Sequence, residues 1–467
     1  MKKRISVFIG FVLVFSIIGA STIAKSGDFD LEKTKKVLTG LIQKALKERG
    51  VPSISIALVK GDEIVWKAAF GYANVRTKTP ATPETIYCTG STFKAVTATA
   101  LMQLAEKKKF KLMDPVNRYL GESNVQDRLQ SEKPVTFRHM LSHWSGLTPG
   151  ANTKPIWGRE LPKTLDEFTS DLYSIRAPEK KWEYNNYAYG MAGLLVEKIS
   201  GKEYEEYVVE NILKPLGVET PHPVYPSPEM VELMALPYMP GRNKGKPRPV
   251  AQVHFDVYPA GDIYLTAEDM ARFLGAHLNG GIFNGKRILS EESVKEMHTP
   301  QFGGTYGFGF FVKKEENGHT IISHGGGIPG QSSNMMGDVD ARVGVYFMSN
   351  SGGPGSVAQA AIKLLRGEEY IPPEKQKFIS VDQKVLNTYT GKYELMGERI
   401  LDVTMEDQKL FIKVGGRPKS ELLAVTKTKF FVKRTEYYVT FVVDEKGVVS
   451  HLKLEAVGQS MKAEKVK

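Results

Sequence analysis

An α+β domain, with helices flanking an antiparallel sheet and a mainly helical insert, followed by a small all-β barrel, is the fold class this chain predicts. Helical periodicity brackets both ends of roughly the first 370 residues, and apolar strand patterns lie just inside those helices. Beyond residue 380 the pattern changes to short alternating runs. They recur about every 8–12 residues, as the strands of a small barrel or sandwich do.

Each element has its own justification. Residues 30–50 place Leu31, Val37, Leu38, Leu41, Ile42, Ala45 and Leu46 at helical spacing and end on Gly50. Residues 53–59 and 63–69 read as a hairpin about Lys60-Gly61-Asp62. A helix is expected from Ser91 to Ala105, and helical patterns recur at 188–199 and 204–212. Residues 306–312, 320–324 and 343–349 read as a three-strand meander, followed by a helix at 357–365. Residues 370–379, rich in Pro and charge, are a linker candidate. Seven strands are then expected, at 389–394, 401–405, 409–414, 422–425, 429–433, 437–443 and 449–454. The domain division is therefore 1–24, 29–369, 370–379 and 380–467.

Composition narrows the class. Of 467 residues, 41% are hydrophobic and 25% charged, which excludes a disordered or collagen-like chain. The single cysteine, Cys88, excludes an intrachain disulfide and a cysteine-built metal site. The net charge of +11 comes from basic residues interspersed with acidic ones, so nucleic acid is not an expected partner. Contact with an anionic envelope surface suits this balance better. Lys2, Lys3 and Arg4 precede an apolar run over 5–20 closed by Gly19, Ala20, Ser21 and Ala24. This is a signal-peptide pattern. It places the protein outside the cytoplasm, secreted or, if the segment is uncleaved, tethered by it.

The chemistry centres on Ser91-Thr92-Phe93-Lys94 at the start of a helix. Positions i and i+3 share a helix face, so the serine Oγ and lysine Nζ can meet. A lysine enclosed near other positive groups loses its proton more easily and can serve as a base. Ser450-His451-Leu452-Lys453 has the same spacing in an alternating strand, where the two side chains face apart. Tyr184-Asn185-Asn186 precedes a later helix. Tyr184, as a phenolate beside cations, could accept a proton, and Asn186 could hold a substrate amide. His324-Gly325-Gly326-Gly327 ends an apolar strand, and its glycines let a substrate backbone come close. His139 and His143 are four apart, but H-M-L-S-H lacks the glutamate of a zinc-protease helix, so the pair reads as structural. No metal or cofactor is expected.

Taken in order, these motifs resemble the serine β-lactamase and penicillin-binding-protein superfamily, in its class C β-lactamase-like branch. Gly71-Tyr72-Ala73-Asn74, Asp114-Pro115-Val116, residues 140–147, residues 213–217 and Pro259-Ala260-Gly261 extend the resemblance over about residues 30–370. It implies a β-lactamase/transpeptidase-like fold. It implies Ser91 as nucleophile, Lys94 as its partner and Tyr184 as proton shuttle. Asn186, His324 and Gly326 would bind substrate, and the N–H groups of Ser91 and Gly327 would form the oxyanion hole. The terminal runs resemble a lipocalin-type barrel. His324 stands where β-lactamases carry lysine, which argues against strong β-lactamase activity. It is expected to be neutral at pH 7 and bonded to substrate or to Tyr184.

The function expected is an acyl-enzyme hydrolase, first a peptidase on D-amino-acid or cell-wall-like peptides. A carboxylesterase or weak β-lactamase of the same fold is the alternative. A penicillin-recognising sensor that acylates without turnover is the alternative of another class. The expected partner is a small-molecule or peptide substrate, with the oligomeric state left open.

Overall fold

The computed structural model describes residues 29–148, 164–220, 224, 226–241, 246–372, 377–395, 399–416, 418–433, 435, 437–444, 447–456 and 459–466. The signal-peptide segment and residues 373–376, the middle of the linker candidate, lie outside the described residues.

Helix α1 (Leu31–Arg49) starts on Asp30, whose side chain accepts from Lys33 N, and stops at Gly50 in the left-handed region. Strands β1 (Ser53–Lys60), β2 (Glu63–Asn74) and β3 (Thr79–Pro80) follow. Next come α2 (Lys94–Glu106), α3 (Asn186–Ser200) and α4 (Ala267–Leu278). Four strands, β4 (Phe311–Lys314), β5 (Thr320–Ile328), β6 (Gln331–Asp338) and β7 (Val343–Ser349), lead into helix α5 (Gly355–Leu365).

All seven strands form one sheet in the order β4-β5-β6-β7-β1-β2-β3. The early hairpin joins the late strands through β1 and β7, where Ile56 pairs with Phe347 in antiparallel register. Ile54, Ile56, Leu58, Val345 and Phe347 face α1 and α5 and form one core with Leu38, Ile42, Val357 and Leu364. Ala57, Val59, Tyr346 and Met348 face the other way, into a larger core with α2, α3 and α4. Burial on both faces explains why β1 lacks the simple alternation of a half-exposed strand.

Two sequence expectations need correction in this sheet. The meander has a further strand, β6, whose sequence QSSNMMGD hides it from a search for apolar periodicity. Its polar side chains are buried because they bond to other segments; Ser333 Oγ donates to the Thr89 carbonyl. The run at 306–312 is a strand only from Phe311. Gly309 (φ +81) presses onto α2, where a Cβ would sit 2.5 Å from Ala95 Cα, so residues 306–310 loop against that helix.

After α6 (Gln383–Thr388), eight strands close a barrel. They are β8 (Gly391–Leu395), β9 (Arg399–Glu406), β10 (Lys409–Val414), β11 (Ser420–Ala424), β12 (Lys429–Val432), β13 (Tyr438–Val443), β14 (Val449–Ala456) and β15 (Gln459–Lys465). The sequence reading lacked β15, whose QSMKAEK pattern is mostly polar; it pairs with β14 and β8 and so removes both free edges. Tyr393, Leu401, Val403, Ile412, Val439 and Leu452 fill the interior, with Tyr389 stacked on Phe441 at 4.3 Å. The interior is a packed core.

Candidate active site

The site begins with a backbone shape. Gly90–Phe93 forms a 3₁₀ turn that runs into α2, so the helix proper starts at Lys94, three residues later than expected. Gly90 needs its positive φ of +54, and a Cβ there would meet Gly327 N at 2.5 Å. A Cβ on Gly326 would lie 2.3 Å from the Thr89 carbonyl oxygen, and one on Gly261 2.3 Å from the Gly90 carbonyl carbon. Three backbones therefore meet at the Ser91 turn: β5, the turn itself and the segment after Ala260. Only glycine allows that approach.

This packing sets the chemistry. Lys94 is fully buried, and its Nζ donates to Ser91 Oγ at 3.1 Å and to the Ala260 carbonyl at 2.7 Å. Burial pushes its pKa well below the ordinary lysine value. The ammonium also lies 5.0 Å from the Tyr184 ring centre. Burial raises the Tyr184 phenol, and the hydrogen-bonding influence of Ser91 offsets only part of that rise. The resting tyrosine is thus a neutral phenol, not the phenolate expected. The easily deprotonated group is Lys94.

Asn186 is the first residue of α3, next to the N-cap Asn185, whose side chain accepts from Ala188 N at 3.0 Å. Asn186 lines a cavity of about 110 Å³ together with Ser91, Phe255, Asp262, Gly327 and Ile328. Gly327 is exposed, and its N–H lies beside the Ser91 turn. Ser91, Lys94, Tyr184, Asn186, Gly326 and Gly327 are therefore brought together.

His324 is placed differently from the expectation. It is 1% exposed, its Nδ1 is bonded to the Gly325 carbonyl at 2.7 Å, and its Nε2 is bonded to Tyr306 Oη at 3.0 Å. Burial and the Lys94 charge push it down to about 3, so it is neutral as expected. Both ring nitrogens are used inside the protein, and neither is offered to substrate or to Tyr184.

Sequence reasoning missed Asp262. Its carboxylate is buried, accepts from Tyr264 Oη at 2.8 Å and Phe255 N at 2.9 Å, and raises the neighbouring His254. It lines the cavity, but its oxygens are taken up inside the protein by Tyr264, Phe255 and, at 3.3 Å, His254 Nδ1. Its position directly after Pro259-Ala260-Gly261 was the available signal. His139 pairs with Glu179 at 2.9 Å, so a carboxylate does stand beside it in space, though none is near in sequence. His319, Asp338 and Asp340 offer atoms close enough for a cation, but Asp338 is already bonded to Arg366 at 2.9 Å and to His319 at 2.7 Å.

Comparison with known proteins follows this geometry. A family profile described as Beta-lactamase matches residues 38–367, and one for a domain of unknown function (DUF3471) matches residues 375–467. Penicillin-binding protein 4* of Bacillus subtilis (strain 168) is 27% identical over 429 residues, covering 86% of this chain and 92% of its own. The octameric penicillin-binding protein homologue from Pyrococcus abyssi superposes with TM-score 0.61 at 26% identity, covering 92% of this chain and 99% of that one. The D-amino acid amidase from Ochrobactrum anthropi SV3, complexed with L-phenylalanine amide, gives TM-score 0.56 at 25% identity over 68% of this chain and 92% of its own.

Proposed function

Because this chain belongs to the Beta-lactamase family, we propose that it is a serine hydrolase that forms an acyl-enzyme on Ser91, with peptides or amides of D-amino acids as its preferred substrates. One observation carries the reading: a buried lysine of lowered pKa bonds the hydroxyl of a serine on a glycine-bounded turn. In its neutral form Lys94 accepts the Ser91 proton as Oγ attacks the substrate carbonyl. The oxyanion accepts from the N–H groups of Ser91 and Gly327. Tyr184, a neutral phenol, donates to the leaving nitrogen and is reprotonated by Lys94. Asn186 holds the acyl-side amide. Water then releases the acyl group by the reverse sequence.

The cavity lining supports the substrate preference. With His324 turned inward, the described cavity residues offer no cation for a substrate carboxylate. The similarity to a D-amino acid amidase points the same way. The N-terminal pattern supports an extracytoplasmic address, which fractionation of the native cell would test.

The test compares p-nitroanilides of D-alanine and L-alanine, N-acetyl-D-alanine p-nitroanilide, p-nitrophenyl acetate and a chromogenic cephalosporin. The free D-alanyl anilide is expected to turn over best and the cephalosporin worst. Ser91→Ala is expected to lose about 10³–10⁶ in kcat. A stable adduct on Ser91 without turnover of any substrate would favour the sensor reading, and an adduct on another residue would overturn the assignment.

A further inference from the structure

The proposed mechanism leaves one buried imidazole unused. His143 is completely buried and lies in the left-handed region at φ +66, a conformation that non-glycine residues adopt rarely. It follows the short helix Phe137–Leu141, far in sequence from the Tyr184 segment, yet it holds that segment from both sides. Its carbonyl accepts from Glu183 N at 2.9 Å. Its Nδ1 accepts from Asn185 N at 3.1 Å. The two bonded residues are the immediate neighbours of Tyr184, and the Tyr184 ring rests on the imidazole with centroids 4.4 Å apart.

We propose that His143 is a positioning residue that fixes the Tyr184 hydroxyl relative to Ser91 and Lys94 by bonding the peptide on either side of it. The proposal rests on the acyl-enzyme reading above. The bond from Asn185 N requires an unprotonated Nδ1, so the proton of the neutral ring sits on Nε2. Nε2 is enclosed and has no hydrogen-bond partner among the described residues. Among the described residues the ring therefore makes its one hydrogen bond through Nδ1, the atom that reaches the Tyr184 segment. The backbone shape has the same consequence: the left-handed turn at 143 lets one residue present both its carbonyl and its side-chain acceptor to one strand of chain.

Three substitutions separate this role from simple packing. Asn keeps an acceptor where Nδ1 stands and tolerates the left-handed region. Gln carries its amide farther out, near the place of Nε2. Leu fills space with no acceptor. His143→Asn is expected to keep kcat within about threefold, while His143→Gln and His143→Leu lose about 10–10²-fold, the scale of a small misplacement of a reacting group. KM for p-nitrophenyl acetate should stay within about threefold in all three, since the ester-binding cavity is untouched. Equal kcat in the Asn and Leu variants would overturn the proposal.

The structure of Tyr184 gives a second readout that needs no turnover. In a crystal structure of His143→Leu the Tyr184 hydroxyl should be displaced from Ser91, and in His143→Asn it should be retained. An undisplaced Tyr184 in the Leu variant would also overturn the proposal. Failure of the acyl-enzyme reading shows instead in the native protein, as no adduct on Ser91.

Discussion

Lys94 Nζ donates to the Ala260 carbonyl oxygen at 2.7 Å, and this bond aims the amine at the Ser91 hydroxyl 3.1 Å away. A carbonyl orients an amine without holding its proton as a carboxylate would. Burial alone then moves the lysine's pKa, and moves it far down. Orientation and basicity thus come from one choice of partner.

The pH dependence follows from that depressed pKa. Below it Lys94 is protonated and cannot accept the serine proton, so kcat/KM should rise with pH through an acid limb well below the ordinary 10.5. Lys94→Met and Tyr184→Phe should each lose most activity, and the double variant should lose little more. Steady-state rates across pH check both points. Losses that multiply would show that the two groups act independently.

Gly326→Ala should displace β5 from the Ser91 turn. The added Cβ would meet Ser333 Oγ at 2.2 Å, which can rotate, and the Thr89 carbonyl at 2.3 Å, which cannot. A fall of about 10²-fold in acylation rate is expected, with a stability loss of about 1–3 kcal/mol. At Gly327 the nearest atom to an added Cβ is 4.0 Å away, so Gly327→Ala should leave thermal stability unchanged. Stopped-flow acylation and melting curves measure the contrast, and equal melting temperatures for the two variants would contradict it.

The arrangement was legible in the sequence wherever a residue type and a backbone period coincide. Ser91 and Lys94 share a helix-like face, and Tyr184 and Asn186 flank a helix start; both pairs stand where those periods put them. His324 misled because the strand period says only that a side chain alternates, not whether the face it takes is open; here Tyr306 and Phe311 close it. Strands β6 and β15 were invisible for a related reason. Polar side chains of β6 are buried by bonds to distant segments, and β15, whose Lys462 and Glu464 are exposed, is held by backbone pairing with β8 and β14. His143 meets the Tyr184 segment across some forty residues of chain, a contact that no local pattern encodes.

Glu197 supplies a stability test remote from the chemistry. Its carboxyl accepts from Tyr204 N at 2.9 Å, and burial, with smaller contributions from Glu203 and Asp166, pushes it up to about 7. A raised folded-state pKa means stability that is complete below the unfolded value and is lost as pH rises through about 7. Glu197→Gln should therefore melt higher than the native protein in alkaline buffer and match it in acid, below about 4.3. Differential scanning calorimetry at both ends of the range measures this; a pH-independent difference would refute it.

The barrel touches the hydrolase domain where β15 lies against β4 and β5, and through ion pairs that include Lys181 with Glu394 and Lys313 with Glu455, each at 3.1 Å. Such pairs contribute about 0–1 kcal/mol each. The buried residues of the hydrolase cores end at Leu365, so a chain ending at Gly367 should fold and still be acylated at Ser91 by a small ester, as intact-mass spectrometry would show. A folded but unreactive truncation would mean that the barrel completes the site.

The pairing of β1 with β7 has a consequence for the order of events during synthesis. The Ser91 turn is walled by β5, and β5 reaches its place only through β6 and β7, which dock on a hairpin made nearly three hundred residues earlier. Contacts this distant close late and make folding slow. A nascent chain still short of Ser349 carries Ser91 and Lys94 but no assembled wall around them. Under the proposed acyl-enzyme mechanism, Ser91 is expected to become reactive only once the last sheet strand is in place.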